Sequence, residues 1–394
     1  MDAFGANMRI FFSVGEPSGD QHGAHLIEEL KRRRSDIEFV GYGGPLMERA
    51  GCRLQYQLTL LAVMGFLRVV PLLWQFYKLV QTANRYFREH RPDAVVLIDF
   101  PGFNWWIARK AKKAGIPVFY YLPPQLWAWA PWRVKRMQKF VDHVLCALPF
   151  ETAWYAKRGV AAEYVGHPFF DEVADAKLDQ PFIDERQVSG KRNIGVLPGS
   201  RNSEVDNNWP LLIATVQRLH TAHPTARFFV ACYKEAHREF CANWIRDHNL
   251  SLPVELHVGK TSEIVELAEC CLMVSGSISL ELLARKTPAV VTYRVSRVQR
   301  LLSGIVMQCK YFTLPNLIAD REVMPERFYA GSPSSEVTWA FDHLDRWLSD
   351  HDALADKLAE LSQLCESCAE TGATARTADV ILSRLPAAEC RSAA

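Results

Sequence analysis

Four stretches of this 394-residue chain bring together side chains that hold anions or move protons. Residues 13–20, SVGEPSGD, set Gly15, Glu16, Ser18, Gly19 and Asp20 where an apolar run passes into a helical one. Free backbone N–H groups and the helix dipole favour an anion at such a junction. A tight turn without a ligand fits the same residues. The spacing is not G-x-G-x-x-G, and GYGG at 41–44 stands where a dinucleotide site needs an acid, which disfavours a dinucleotide. Asp99 follows the apolar run 94–98; a carboxylate at a strand end gains basicity from desolvation and suits a general base, or else caps the next helix. Residues 195–204, GVLPGSRNSE, offer backbone donors, the Ser200 hydroxyl and the Arg201 fork, a set matched to a phosphate or diphosphate. A strand, a turn and a Ser203 cap would read alike. Residues 275–281, SGSISLE, repeat the theme with Ser275, Gly276 and Ser277, and Glu281 lies one turn inside the helix, where it can accept from sugar hydroxyls.

Other residue types carry less. His167, in Gly-His-Pro, has the best claim among the histidines to a ligand contact, ahead of His22 and His25. Cys365 and Cys368 lack a second Cys/His pair, so no metal site is assigned. The stretch 60–77 is interrupted by Arg68 and Pro71 and is short of the ~20 apolar residues of a spanning helix. With Phe103, Trp105, Trp106, Arg109, Lys110, Lys112 and Lys113 behind it, it reads as an interfacial patch or as core. Trp127, Trp129 and Trp132 near Arg133, Lys135 and Arg136 read as a surface platform or as packing.

Short β-branched runs alternating with amphipathic stretches must position these residues. Strands are predicted at 8–13, 37–41, 94–98, 118–121, 143–147 and 163–165, and a helix at 21–34. A polar, strand-free segment at 171–192 precedes a second series at 193–197, 227–231, 254–258, 271–274 and 289–292. The pattern predicts two α/β halves with parallel sheets, and ligands at the carboxyl ends of their strands. The expected division is 1–175 and 176–394, with C-terminal helices from about 335.

Composition narrows the class. With 49% hydrophobic and 23% charged residues the chain can bury a core, which excludes disorder and coiled coil. A net charge of +2 is too balanced for a protein that grips long nucleic acid, so none is expected as a partner. Ten scattered cysteines fit a reducing compartment, and residues 1–7 lack the sections of a signal peptide, so a cytoplasmic location is expected.

Taken in order, GEPSGD (15–20), GGP (43–45), AVMG (62–65), ID (98–99), LWAW (126–129), LPFE (148–151), VGHP (165–168), LPGSR (197–201), SG (275–276), YRVS (293–296) and LPNLI (314–318) resemble the lipid-A-disaccharide synthase family. Pro17, Pro124-Gln125 and Ser277-Ile278-Ser279 depart from its pattern, and little matches beyond Pro325. The resemblance implies a GT-B fold, two Rossmann-like domains facing a central cleft with a helical C-terminal segment. It implies an inverting glycosyltransferase that joins UDP-2,3-diacylglucosamine to 2,3-diacylglucosamine 1-phosphate, releases UDP and uses no cofactor. Asp99 would be the base; Ser200, Arg201, Ser275, Gly276, Ser277, Glu281 and Asn316 would hold the donor; Gly15, Glu16, Ser18, Gly19, Asp20 and His167 would line the acceptor side. Met64, Phe66, Leu67, Val69, Val70, Leu72, Leu73, Trp74, Phe76 and Tyr77 would form a membrane patch, with the enzyme peripheral on the inner face of the inner membrane and a homodimer as its assembly. The alternatives are another GT-B UDP-sugar enzyme, such as a UDP-GlcNAc 2-epimerase or the peptidoglycan-precursor transferase, and a catalytically silent nucleotide- or lipid-binding protein.

Overall fold

A computed structural model describes residues 8–61, 72–274, 276–296 and 309–385. The chain divides into a unit of Met1–Asp171 with Glu370–Ala394 and a unit of Glu172–Ala369. Each is an all-parallel sheet covered by helices, so the fold is two Rossmann-like domains of GT-B type.

The first sheet has the order β3-β2-β1-β4-β5-β6-β7, made of β1 (Arg9–Val14), β2 (Glu38–Gly43), β3 (Arg53–Gln57), β4 (Ala94–Ile98), β5 (Val118–Tyr121), β6 (His143–Cys146) and β7 (Ala162–Tyr164). Its central strands are buried on both faces, which is why they read as continuous apolar runs. Alternate side chains go to opposite layers. Phe11, Val95, Leu97 and Tyr120 pack under the helices Leu73–His90, Pro101–Lys113 and Val134–Phe140. Ile10, Phe12, Val14, Val96 and Ile98 pack with Leu26, Ile27 and Leu30 of the helix Pro17–Arg33. Each such fully buried side chain is worth about 1.5–3 kcal/mol.

The second sheet has the order β10-β9-β8-β11-β12-β13, made of β8 (Arg192–Leu197), β9 (Ala226–Cys232), β10 (Val254–Val258), β11 (Cys270–Val274), β12 (Ala289–Arg294) and β13 (Glu326–Tyr329). Its main apolar layer joins Ile194, Val196, Phe228 and Leu272 to Trp209 and Leu212 of the helix Asn202–Ala222 and to Leu344 of the helix Ser334–Ser349.

Two features depart from the sequence reading. β3 and β13 were not expected; both are edge strands, of sequence RLQYQ and ERFY, whose half-buried polar residues give no apolar run. The second domain was expected to run to 394, yet the helix Ala373–Arg384 belongs to the first unit. Ala378 and Ile381 enter the layer around Leu26 and Leu30. The Asp171 carboxylate accepts from Gly372 N (2.5 Å), Ala373 N (3.3 Å) and Thr374 N (3.0 Å), and Arg376 Nε donates to Val165 O at 2.9 Å. Gly372 has φ 88°, a left-handed turn natural to glycine, so the chain re-enters the first unit on a capped helix.

A buried carboxyl makes part of this unit pH-sensitive. Glu151 accepts from Trp127 Nε1 at 3.0 Å and Leu148 N at 3.0 Å, with Cys146 and Tyr155 as the other titratable neighbours. Burial pushes its pKa up to about 7, against the pull of those donors. A carboxyl raised in the folded state contributes stability that is complete below its unfolded pKa and lost as pH rises through the folded one. Denaturant melts are expected to show a loss on the order of 3 kcal/mol between pH 5 and pH 8. That dependence should be largely absent in Glu151→Gln.

Candidate functional site

In both sheets the strand order reverses at one point, between β1 and β4 and between β8 and β11. Loops leaving the carboxyl ends of such a strand pair diverge to opposite faces and leave a crevice there, the usual ligand position in open α/β sheets. Asp99 follows β4, and Gly15 and Glu16 follow β1. Ser200 and Arg201 follow β8, and Gly276 and Ser277 follow β11. These residues thus stand at the two reversal points, one group in each unit, whereas His167 follows β7 and Asn316 lies between β12 and β13.

In the first unit, Asp99 and Phe100 both have φ 46°, a left-handed pair that is costly for non-glycine residues. The surroundings hold that turn by its main chain. The Asp99 carbonyl accepts from Asn104 Nδ2 at 2.7 Å and from Tyr120 OH at 2.8 Å. Asn104 is fully buried and also joins the ends of β4 and β1, donating to Ile98 O and Ser13 O while Ser13 Oγ donates to its Oδ1 at 2.7 Å. The Phe100 ring lies where any side chain at Gly15 would sit. The Asp99 carboxyl is half-buried and is not one of these braces. Desolvation raises its pKa above the ordinary carboxylate value; the Phe100 N–H and the charge of His22 pull the other way.

His22 and His167 meet edge to face, with ring centroids 6.2 Å apart. Phe169 N donates to His167 Nδ1 at 3.2 Å, which puts the ring proton on Nε2. Burial, then the charge of His22, lowers the His167 pKa to about 3, so the imidazole is neutral at physiological pH. Asp20 has a different role from the one expected. Its buried carboxylate accepts from Gly44 N (2.8 Å), Leu46 N (3.0 Å) and Met47 N (3.1 Å), capping the helix Pro45–Arg49. Gly19 is packed against Val14, while Ser18 is exposed and Glu16 half-exposed.

In the second unit, the N–H groups expected to meet an anion are already engaged. Glu204, buried in the first turn of Asn202–Ala222, accepts from Ser200 N and Arg201 N at 3.2 Å each and from Arg201 Nη1 at 2.6 Å. Gly199, at φ 105°, passes so close that a Cβ would strike Glu204. What remains for an anion is the outer edge of the Arg201 guanidinium, whose side chain is 56% exposed, together with the exposed Ser200. Gly276 and Ser277 are exposed ahead of the helix Ile278–Ala284, and a Cβ on Gly276 would meet nothing; Ser275 lies outside the described residues. Glu281 is buried and accepts from Arg285 Nε at 2.9 Å, and Arg285 also reaches Glu266 at 2.9 Å. Asn316 is fully buried and its amide is committed: Oδ1 accepts from Val323 N (2.7 Å) and Met324 N (2.8 Å), and Nδ2 donates to Met324 O (2.7 Å).

The expected membrane patch is described only in part. Met64, Phe66, Leu67, Val69 and Val70, with the rest of 62–71, lie outside the described residues. Of the remainder, Leu72 and Phe76 pack inward, Phe76 with ring centroids 6.1 Å from Phe100 and 5.6 Å from Phe103. Leu73, Trp74 and Tyr77 face out, Trp74 being 65% and Tyr77 53% exposed, and their rings stack at 5.5 Å with Lys78 Nζ over Trp74. No helix among the described residues is long and apolar enough to cross a membrane. Cys365 and Cys368 lie on the helix His351–Cys368, where Cys368 Sγ donates to Leu364 O at 3.1 Å.

Sequence reasoning missed Asn104, whose signal was an Asn three residues after the first helical Pro, and Glu204, whose signal was an acid at the third helical position of a capping box.

A family model described as lipid-A-disaccharide synthetase matches residues 10–359, well beyond Pro325, where motif agreement was expected to fade. A lipid-A-disaccharide synthase of Anaeromyxobacter sp. (strain K) is 32% identical over 95% of this chain and 97% of its own, and one of Azoarcus sp. (strain BH72) is 33% identical over 97% and 98%. Among solved structures, the UDP-GlcNAc 2-epimerase of Neisseria meningitidis bound to UDP-GlcNAc superposes with a TM-score of 0.64 at 12% identity, covering 96% of this chain and 99% of that one. A putative UDP-N-acetylglucosamine 2-epimerase of Listeria monocytogenes gives 0.65 at 10% identity, covering 96% of each. At such identities the likeness is one of fold alone.

Proposed function

Because the chain belongs to the lipid-A-disaccharide synthase family, glycosyltransferases of lipid A biosynthesis, we propose that it joins UDP-2,3-diacylglucosamine to 2,3-diacylglucosamine 1-phosphate by a single inverting displacement with Asp99 as the base. The observation that carries this reading is the Asp99 carboxyl: half-buried at a strand-order reversal and raised in basicity by desolvation against the pull of the Phe100 N–H, while Asn104 and Tyr120 hold the turn through the main-chain carbonyl. Asp99 takes the proton of the acceptor 6-hydroxyl as that oxygen bonds to the anomeric carbon of the donor. The anomeric C–O bond breaks on the opposite side, its electron pair leaves with UDP, and the linkage formed is β-1′,6. A neutral His167 with its proton on Nε2 is a donor suited to an acceptor oxygen.

On the donor side, Arg201 stabilises the charge that grows on the diphosphate. With the Ser200 and Arg201 N–H groups held by Glu204, the guanidinium edge is the principal cation for that task. Ser200, Gly276 and Ser277 add small, exposed neighbours, and Glu281 meets the ribose through the oxygen that Arg285 does not take. Arg201→Ala is expected to raise the donor KM by about ten- to a hundredfold, the worth of a charged hydrogen-bond pair. Arg201→Lys should recover little, because one ammonium cannot serve Glu204 and a phosphate with fork geometry. Steady-state kinetics at varied UDP-sugar decides this.

Both substrates carry acyl chains, and each CH₂ taken out of water is worth about 0.8 kcal/mol, so the enzyme works at a lipid surface. Leu73, Trp74 and Tyr77 supply an apolar contact for it. The deciding experiment is mass spectrometry of products from the two lipid substrates. A tetraacyl disaccharide monophosphate plus UDP is expected. An isomerised UDP-sugar without a disaccharide supports an epimerase instead, and UDP binding without any product supports a silent binding protein.

A further inference from the structure

From residue 100 to residue 141 the sequence has eight Lys and Arg side chains and no Asp or Glu, in a chain whose totals are 46 and 44. The fold collects this bias on one surface. The helices Pro101–Lys113 and Val134–Phe140 pack side by side over the same face of the first sheet, burying Phe103, Ile107 and Ala111 from one and Val134 and Met137 from the other. Their outward positions include Arg109, Lys113, Lys135 and Arg136, with Arg133 just ahead of the second helix. Lys112 is paired with Asp142 at 2.6 Å, but none of those five has a carboxylate partner among the described residues.

Aromatic rings stand within this cationic field. Trp127 is turned inward and tied to Glu151, and the short turn Leu126–Trp129 that it anchors projects Trp129, 49% exposed. Trp132, 66% exposed, follows, and Trp106 is exposed on the neighbouring helix. A single exposed ring is ordinary, but three indoles interspersed with unpaired cations form the pattern that partitions to a bilayer interface. The helix Leu73–His90, carrying exposed Leu73, Trp74 and Tyr77, packs against the other flank of Pro101–Lys113. That apolar strip, with Lys78 at its edge, has a use in lipid and none on a nucleic acid, although stacked rings and cations also suit single strands.

We propose that Trp129, Trp132, Arg133, Lys135 and Arg136, with Trp106 beside them, form a headgroup platform that docks the first unit on an anionic bilayer surface. It rests on the reading above that the enzyme meets its substrates at a membrane. It adds the charge of that membrane and a second contact separate from residues 72–77. Each cation held near an anionic surface strengthens partitioning about fivefold.

Co-sedimentation of the full chain with vesicles tests it. Vesicles of phosphatidylcholine with 30% phosphatidylglycerol (~30%, chosen to mimic an anionic leaflet) are expected to bind at least tenfold better than phosphatidylcholine alone, with the advantage lost at high salt. Arg133→Gln with Arg136→Gln should weaken anionic binding on the order of twentyfold. Trp129→Ala with Trp132→Ala should weaken binding to both vesicle types. Equal binding to the two vesicle types, or unchanged binding by the double Gln variant, overturns the platform. So does tighter binding of a single-stranded oligonucleotide than of anionic vesicles at the same salt. Disaccharide formation in neutral detergent micelles separates this from the catalytic reading: the double Gln variant should match the parent there and fall behind it only on vesicles. Matched loss in micelles and on vesicles overturns the platform, whereas a parent inactive in micelles that still prefers anionic vesicles fails the catalytic reading alone.

Discussion

Asp99→Asn is expected to lower turnover by about a thousandfold or more while UDP binding stays within a factor of two or so, since a positioned base contributes about 10²–10⁴. Asn is the informative replacement. Residue 99 sits at φ 46°, a conformation that Asn visits more readily than Ala does. The hydrogen bonds that fix the turn, from Asn104 and Tyr120, go to the main-chain carbonyl and survive the change. Only the proton acceptor is removed, so a loss in rate without a loss in melting temperature isolates the chemistry. The pH profile is a second check. Desolvation holds the Asp99 pKa above the ordinary carboxylate value, and the base works only when ionised. The acid limb of kcat/KM should therefore break above the usual carboxylate range and vanish in the variant. Full activity of Asp99→Asn would remove Asp99 from the mechanism.

The legible and illegible parts of this molecule differ in a physical way. Strands β4 and β5 were read to the residue, because strands inside a parallel sheet keep apolar, β-branched or aromatic character between clear breaks, and the edge strand β10 was read because Val254, Leu256 and Val258 alternate with its polar residues. β3 and β13, also at edges, escaped because RLQYQ and ERFY hold only two apolar residues each beside charged or amide side chains, too few to mark a strand. The loops after β1, β4, β8 and β11 were found because chemistry in this fold class collects at strand carboxyl ends. Which way their side chains turn was not readable. Asp20 is spent on N–H groups of Gly44, Leu46 and Met47, more than twenty residues away, and a contact of that separation leaves no local trace. Glu204 did leave a trace, since an acid at the third helical position is the mark of a capping box. Read with that rule, the Ser-Arg stretch would have been credited with a guanidinium and fewer backbone donors. The last helix was misassigned because amphipathic periodicity says that a helix buries a face, without saying against which unit.

Asn316 is where the two kinds of reading diverge most, and the expected effect of removing it is large. The resemblance assigned it to the donor, whereas its amide accepts from Val323 N and Met324 N and donates to Met324 O. Its second N–H helps to lower the pKa of Glu326, a carboxyl raised by burial that itself accepts from Phe312 N and Thr313 N ahead of the helix Leu314–Ala319. Asn316→Ala would strand two buried N–H groups and a carbonyl at about 1–3 kcal/mol each, so a loss on the order of 4 kcal/mol is expected in denaturant melts of the full chain. Asn316→Asp should not rescue it. The carboxylate could still accept both N–H groups, but it would lose the donor to Met324 O and face Glu326 as a like charge. UDP binding then discriminates between the roles. If Asn316 acts by holding the 323–326 loop, donor affinity falls in step with stability in both variants. If it touches the nucleotide, Asn316→Asp loses affinity through charge repulsion out of proportion to any change in its melt, and the loop-holding role is not what the residue chiefly does.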